Sequence, residues 1–382
     1  TPGYGDMSAV KPESPDLTHL KYETITSNNI GVDVGLFSDR ITFAVELYTK
    51  VTDDMLQKKI KVPSSTGLST VAWYNSGKME NRGWEFNIDV AAVRTKDWGL
   101  NFGFNISQNK NKVLELPENQ SDETYTFGNK KYAYRVLMGD PLGSFYGYRY
   151  KGVYQNVEET YAVDKTGQQI MDINGAPVVV KNGDQKVYPG DAKYEDVNGD
   201  GVIDENDIVY LGNSNPTLTG GLNFTLRYKK LSLVAALHGR AGQKVINESR
   251  INMENMYGKN NQSVAVLRRW RSEGDNTDIP RALYDKGYNY LGSDRFVEDA
   301  SFLRLKTITL KYQFPENWMK PLGINKLEIY ATGYDLFVWT KYTGQDPEIN
   351  LKNPDGSAAQ VAIDSNNTPK AMRFAFGLNL RF

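Results

Sequence analysis

Residues 371–382, AMRFAFGLNLRF, separate into two rows. Met372, Phe374, Phe376, Leu378, Leu380 and Phe382 are apolar, whereas Ala371, Arg373, Ala375, Gly377, Asn379 and Arg381 are small or polar. Strand side chains alternate between faces, so this period of two predicts an extended strand with unlike faces. A soluble strand of this kind is usually shorter, and its chain usually runs on past it.

The same alternation recurs upstream. A first strand is expected over 25–37, followed by a turn at Ser38-Asp39. In RITFAVELYTKVT, Ile41, Phe43, Val45, Leu47 and Val51 oppose Thr42, Glu46, Tyr48, Lys50 and Thr52. Trp84, Phe86, Ile88, Val90 and Ala92 oppose Glu85, Asn87 and Asp89; Trp98, Leu100, Phe102, Phe104 and Ile106 oppose Gly99, Asn101, Gly103, Asn105 and Ser107. A hairpin turning at Lys229-Lys230 joins Leu218, Leu222, Phe224, Leu226 and Tyr228 to Leu231, Leu233, Ala235 and Leu237. Further strands are expected near 296–314 and 325–342. One departs from the pattern: Arg304 and Lys306 precede Ile308, Leu310, Tyr312 and Phe314 on their face. Either these two stand above a membrane or a bulge shifts the face.

Composition narrows the setting. The chain has no cysteine, which removes disulfides, thiolate metal sites and thiol nucleophiles, and its only histidines are His19 and His238. The net charge of −1 implies no polyanion partner and no nucleic acid. No run of about 18 apolar residues exists that could form a membrane-spanning helix. Alternating strands escape that test, because only every second residue needs to meet lipid, and 24 Tyr and 6 Trp suit interfacial aromatic belts. No signal peptide opens the chain, so it is expected to be processed or an internal piece of something longer.

The links alternate in length. Those near 39, 96, 229 and 318 are short; those at 53–83, 108–215, 246–295 and 343–369 are long. Short turns at one side and long loops at the other describe an outer-membrane barrel, with turns and the C-terminus periplasmic and the loops extracellular. The parity holds if SFYGYRYKGVY (144–154) is extended structure within a loop. The fold expected is therefore all-β: about nine spanning strands of a large antiparallel transmembrane β-barrel. Nine strands alone would leave open edges in hydrocarbon, so the chain is expected to be the C-terminal portion of a larger barrel.

Three segments carry a specific resemblance. SDRFVEDASFLRLKTITLKYQFP (293–315), YDLFVWTKYTGQDPE (334–348) and NIGVDVGLFSDRITFAVELYTK (29–50) resemble late-barrel strands of SusC/RagA-type TonB-dependent outer-membrane transporters. The terminal Phe382 is similar to the assembly signal of such barrels. The resemblance implies a 22-stranded barrel with a plugged lumen, the plug and TonB contact lying in a missing N-terminal part. It also implies a SusD-like surface lipoprotein partner, oligosaccharide or oligopeptide substrates, and the outer membrane of a Gram-negative bacterium. No plug or TonB box is recognisable in these residues.

Within 108–215, DVNGDGVIDEND (196–207) fits the twelve-residue calcium-loop template. Asp196, Asn198 and Asp200 stand at positions 1, 3 and 5, Gly201 at 6, Val202 with its carbonyl at 7, Asp204 at 9 and Asp207 at 12. Hard oxygen donors suit Ca²⁺. Asp in place of Glu at position 12 has a shorter reach, which lowers affinity and lets Mg²⁺ compete. A structural ion ordering the long loop is expected, without catalysis. The metal-free alternative is an acidic, turn-rich loop.

Loop aromatics Trp73, Tyr74, Tyr125, Phe127, Tyr257, Trp270, Tyr284, Tyr288 and Tyr290 are candidates for stacking on ligand, with loop packing as the commoner use of such rings. Trp73, Tyr74, Trp270 and Tyr288 stand first among them. The basic segment VAVLRRWRS (264–272) has helical spacing and suits protein docking or loop packing. No G-x-S-x-G, H-E-x-x-H or phosphate-cradling loop appears, and no carboxylate pair stands out, so no enzyme is expected. The rival reading is a soluble secreted β-rich binding module with a dockerin-like calcium loop.

Overall fold

A computed structural model describes residues 20–61, 70–116, 132, 136–285, 287–352 and 361–382. Tyr125 and Phe127 lie outside them. Nine strands form one antiparallel sheet: β1 (Thr24–Leu36), β2 (Ile41–Asp53), β3 (Lys78–Arg94), β4 (Trp98–Glu115), β5 (Leu218–Tyr228), β6 (Leu231–Ala241), β7 (Phe302–Gln313), β8 (Lys326–Thr340) and β9 (Arg373–Arg381). They pair in chain order, so the sheet is a meander that runs from β1 to β9. All nine expected strands are present.

Each link also has the expected length class. Residues 37–40, 95–97, 229–230 and 314–325 are the short ones, and 54–77, 116–217, 242–301 and 341–372 the long ones. The tightest turns use left-handed backbone at Phe37, Ser38, Asp39 and Lys229, a conformation that non-glycine residues adopt mainly in turns.

The chain divides into two compact units. In the first, β1 and β2 pair over 13 residues, with Ile30 opposite Leu47 and Val32 opposite Val45. The hairpin Leu56–Lys61 with Thr70–Asn75 lies in what the sequence suggested was plain loop. Strand β4 runs on to Glu115, well past its last alternating residue. There the side chains are Asn, Gln and Lys on both faces, so the period-two signal fades although the strand continues.

In the second unit β5 to β9 continue the sheet. Leu233 stands opposite Leu310, and Leu310 opposite Ala331. The register shifts around Lys306 against both β6 and β8. This is the bulge foreseen as one of two alternatives for Arg304 and Lys306. Beyond it Leu305 pairs with Leu237 and Leu303 with Trp339, so leucines resume the apolar row. Arg304 is thereby moved to the other face and is only 2 % exposed.

The long links of this unit fold into a body of their own. SFYGYRYKGVY joins no strand of the large sheet: Ser144–Gly147 pairs with Val209–Asn213, and Tyr150–Val153 with Ala192–Tyr194. Tyr148, Tyr154, Ala162, Val187, Tyr194, Ile203 and Leu291 form one core. Phe145, Ile246, Ile251, Tyr290, Phe296 and Val361 form a second.

Candidate functional site

The acidic loop 196–207 begins one residue after Ala192–Tyr194 and Glu195. Asp196 organises it. Its Oδ1 accepts the N–H of Gly199 at 2.7 Å and of Asp200 at 3.3 Å, and its Oδ2 accepts the Gly201 N–H at 2.7 Å. Position 1 of the template thus receives the amides of positions 4, 5 and 6, which curls the loop around one carboxylate. Gly201 has φ +81°, and a Cβ there would lie 2.9 Å from the Ala162 Cβ; the sharp turn at position 6 requires glycine on both counts.

The second half is built from Asp204 and Asp207. Asp204 caps the short 3₁₀ helix Glu205–Asp207, and Asp207 reaches back to the Asp204 N–H at 2.8 Å. The other Asp207 oxygen accepts the Val197 N–H at 2.7 Å, tying both ends of the loop together. Between them, Val202–Ile203 pairs in parallel with Lys181–Asn182. No long helices flank the loop.

The electrostatics are one-sided. Asp207 is fully buried, and burial first, then the neighbouring Asp196 charge, pushes its carboxyl above the usual range against the pull of its backbone donors. Among the described residues, no ion pair reaches Asp196, Asp200, Asp204 or Asp207. A buried carboxylate with acidic neighbours and no basic partner favours a cation nearby. The loop shape and its oxygen-rich donor set fit Ca²⁺. The side chains themselves are not gathered: among the described residues no three acidic or imidazole groups converge on one point. Asn198 Nδ2 donates to Asp200 Oδ2 at 2.8 Å, and Asp204 Oδ1 accepts the Asn206 N–H at 2.8 Å, so these groups would have to re-aim.

The candidate aromatics scatter. Trp73 is half-buried on Thr70–Asn75; Tyr74 shares that strand, and its side chain lies outside the described residues. Trp270 packs its indole over Gly190, and its Nε1 is buried without a hydrogen-bond partner among the described residues. Tyr288 is 8 % and Tyr290 1 % exposed, both within the loop body. Tyr257 packs edge-on against Tyr290, whereas Tyr284 is 65 % exposed. The segment 264–272 carries a short 3₁₀ helix, Val264–Arg268, with Val264 and Leu267 outward.

Sequence reading passed over a charged cluster at the bulge. Arg304 reaches Asp346 at 2.5 Å and Glu348 at 3.4 Å, and Lys306 and Lys370 both reach Glu348. The two basic residues that broke the apolar row were its only signal.

The family model described as TonB dependent receptor-like, beta-barrel matches residues 1–179. TonB-dependent receptor P26 of Formosa agariphila is 32 % identical over 382 residues, covering 97 % of this chain and 36 % of the relative. TonB-dependent receptor SusC of Bacteroides thetaiotaomicron is 28 % identical over 373 residues, covering 95 % of this chain and 32 % of the relative. The chain spans about a third of the length of these curated relatives. Among solved structures, that of the RagAB peptide transporter superposes with a TM-score of 0.71 at 23 % identity, covering 100 % of this chain and 38 % of the other. That last likeness is one of fold.

Proposed function

Because the chain fits a fragment of a SusC/RagA-type TonB-dependent transporter, we propose that it forms part of the wall of an outer-membrane nutrient importer. The observation that carries this reading is the apolar face of the sheet. Ile30, Leu47, Leu310, Phe337, Trp339, Phe374, Phe376 and Leu378 are between 48 % and 81 % exposed. Water makes such a surface costly, at about 25 cal/mol per Å² of apolar area. Hydrocarbon is the solvent in which alternating apolar rows on a sheet are stable. A soluble calcium-binding module would bury these rows against a second layer, and its relatives would not be TonB-dependent receptors.

On this reading the substrate is an oligosaccharide or an oligopeptide. It is handed over by a SusD-like surface lipoprotein and moved with energy supplied through TonB. RagAB is a peptide transporter, which supports the peptide branch by analogy of fold alone. The long links face outward and the short turns inward. Phe382 serves as assembly signal. Ca²⁺, with Mg²⁺ as a weaker competitor, is held by Asp196, Asn198, Asp200, the Val202 carbonyl, Asp204 and Asp207. It neutralises the buried Asp207 carboxylate and fixes the loop; no chemistry is asked of it.

The test is purification of the full-length polypeptide from membranes. The proposal expects extraction only with detergent and co-purification of a surface lipoprotein. A full-length polypeptide that stays soluble without detergent would overturn it.

A further inference from the structure

The polar face of the first unit holds a recess of about 540 Å³ that none of the sequence motifs accounts for. It is lined by Asn29 on β1, by Glu46, Tyr48 and Lys50 on β2, by Asn81 and Glu85 on β3, and by neighbours of the same character. Asn29, Glu46, Tyr48 and Glu85 stand within one residue of the middle of their strands, and Lys50 and Asn81 lie towards the ends away from the short turns at 37–40 and 95–97. In the barrel reading, that is the lumen wall from mid-depth towards the long links.

The hydrogen bonds within the recess are selective. Asn29 Nδ2 donates to Glu46 Oε1 at 3.0 Å, and the Tyr48 hydroxyl donates to Asn109 Oδ1 at 3.2 Å. Asn109 and Asn111 both donate to Asn81 Oδ1, at 3.2 and 3.0 Å. These contacts hold the amides in a fixed ladder across β3 and β4. Glu85 has no hydrogen-bond or ion-pair partner among the described residues. The lining carries two carboxylates, Glu46 and Glu85, against one ammonium, Lys50, a balance of −1. Tyr48 is the recess's only ring, and the Lys50 ammonium lies 5.9 Å from its centroid, so no open aromatic platform is offered to a sugar face.

We propose that this recess is a solute subsite that takes a primary ammonium group with hydrogen-bonding neighbours, the ammonium pairing with Glu85 and the flanking polar groups with the amide ladder. The inference rests on the transporter reading and specifies which solutes its lumen wall prefers. A carboxylate already placed in a polar recess forms a charge-assisted hydrogen bond to an ammonium more strongly than to a neutral donor. Anionic solutes are disfavoured by the same charge. The ammonium could belong to a peptide or to an amino sugar, and the probes separate the two.

The experiment measures calorimetric binding to the full-length transporter in detergent, with trilysine and the glucosamine trimer as probes. Each is paired with its fully N-acetylated counterpart. At least one free-amine probe is expected to bind, and to lose affinity by about 10-fold or more in Glu85→Gln, since hydrogen bonds to charged groups carry that much. The acetylated partner should bind more weakly and ignore the substitution. Which free-amine probe responds identifies the source. Equal binding of free and acetylated probes, no binding of either, or indifference to Glu85→Gln overturns the proposal. Heat-modified gel mobility of Glu85→Gln checks that the barrel is intact. Loss of detergent dependence would instead sink the transporter reading itself.

Discussion

Arg304 Nη2 donates to Asp346 Oδ1 at 2.5 Å, joining β7 two residues from its bulge to the start of the long link after β8. Both side chains are nearly buried, at 3 % and 8 % exposure. Asp346 is itself fixed: its Oδ1 accepts the Glu348 N–H at 2.9 Å and its Oδ2 the Lys370 N–H at 3.2 Å. One guanidinium therefore ties the wall to both ends of the 346–370 segment.

Removing Arg304 leaves Asp346 buried without its ion partner, which costs roughly 3–5 kcal/mol. Arg304→Met is expected to lower the unfolding midpoint of the full-length protein and to expose 346–370 to protease. Arg304→Met combined with Asp346→Leu should recover a large part of the loss. A double variant as unstable as the sum of the singles would show that the two side chains do not act as a pair.

Calcium removal should act locally. Chelation is expected to increase protease cutting within 108–215 while the sheet strands stay protected. Readdition at 100 times Kd restores about 2.7 kcal/mol of loop stability by linkage. Asp196→Ala should abolish the calcium response, because that residue gathers three amides of the turn. Cutting that is the same with and without calcium would remove the ion from the account.

Gly190 has φ +89°, and a Cβ there would lie 2.3 Å from Trp270 Cε3. Gly190→Ala must displace the indole and strain the backbone, at a cost of about 1–3 kcal/mol. A red-shifted tryptophan emission and a lower melting temperature are expected. Unchanged emission would mean that Trp270 does not pack there.

Burial alone would raise the Glu298 carboxyl. The Thr343 N–H and hydroxyl, with Arg250 and Asn247, outweigh it and hold the group below its usual value. A depressed carboxyl contributes stability that is present above its unfolded pKa of about 4.3 and lost as pH falls through the folded value. Hydrogen exchange at Thr343 should therefore be slow relative to its intrinsic rate at neutral pH and lose protection as the pH falls below about 4. Protection that does not weaken in acid would contradict this assignment.

The strands were legible because lipid and lumen impose opposite demands on alternate residues, and Phe374, Phe376 and Leu378 answer one of them. The turn at 196–207 was legible because its spacing is local: Asp196 gathers the amides of Gly199, Asp200 and Gly201. The bulge was only half legible: Arg304 and Lys306 announced a break, but its position depends on pairing with Leu237 and Phe337 far along the chain. The burial of Tyr288 depends on the loop body around it, with Asp191 and Arg281 as its neighbours, and no short pattern encodes that. The polar recess was hidden for the opposite reason. Glu46 and Glu85 look like ordinary solvent-facing residues until four strands place them side by side.

The most direct measurement uses nitroxide labels placed singly at 374 to 379 in the full-length protein in lipid vesicles. The account predicts that labels replacing Phe374, Phe376 and Leu378 collide with oxygen dissolved in the bilayer. Labels replacing Ala375, Gly377 and Asn379 should instead collide with a water-soluble nickel chelate or be shielded from both. Accessibility without a period of two, or all six labels open to the chelate, would contradict the claim that this sheet is a wall between lipid and lumen.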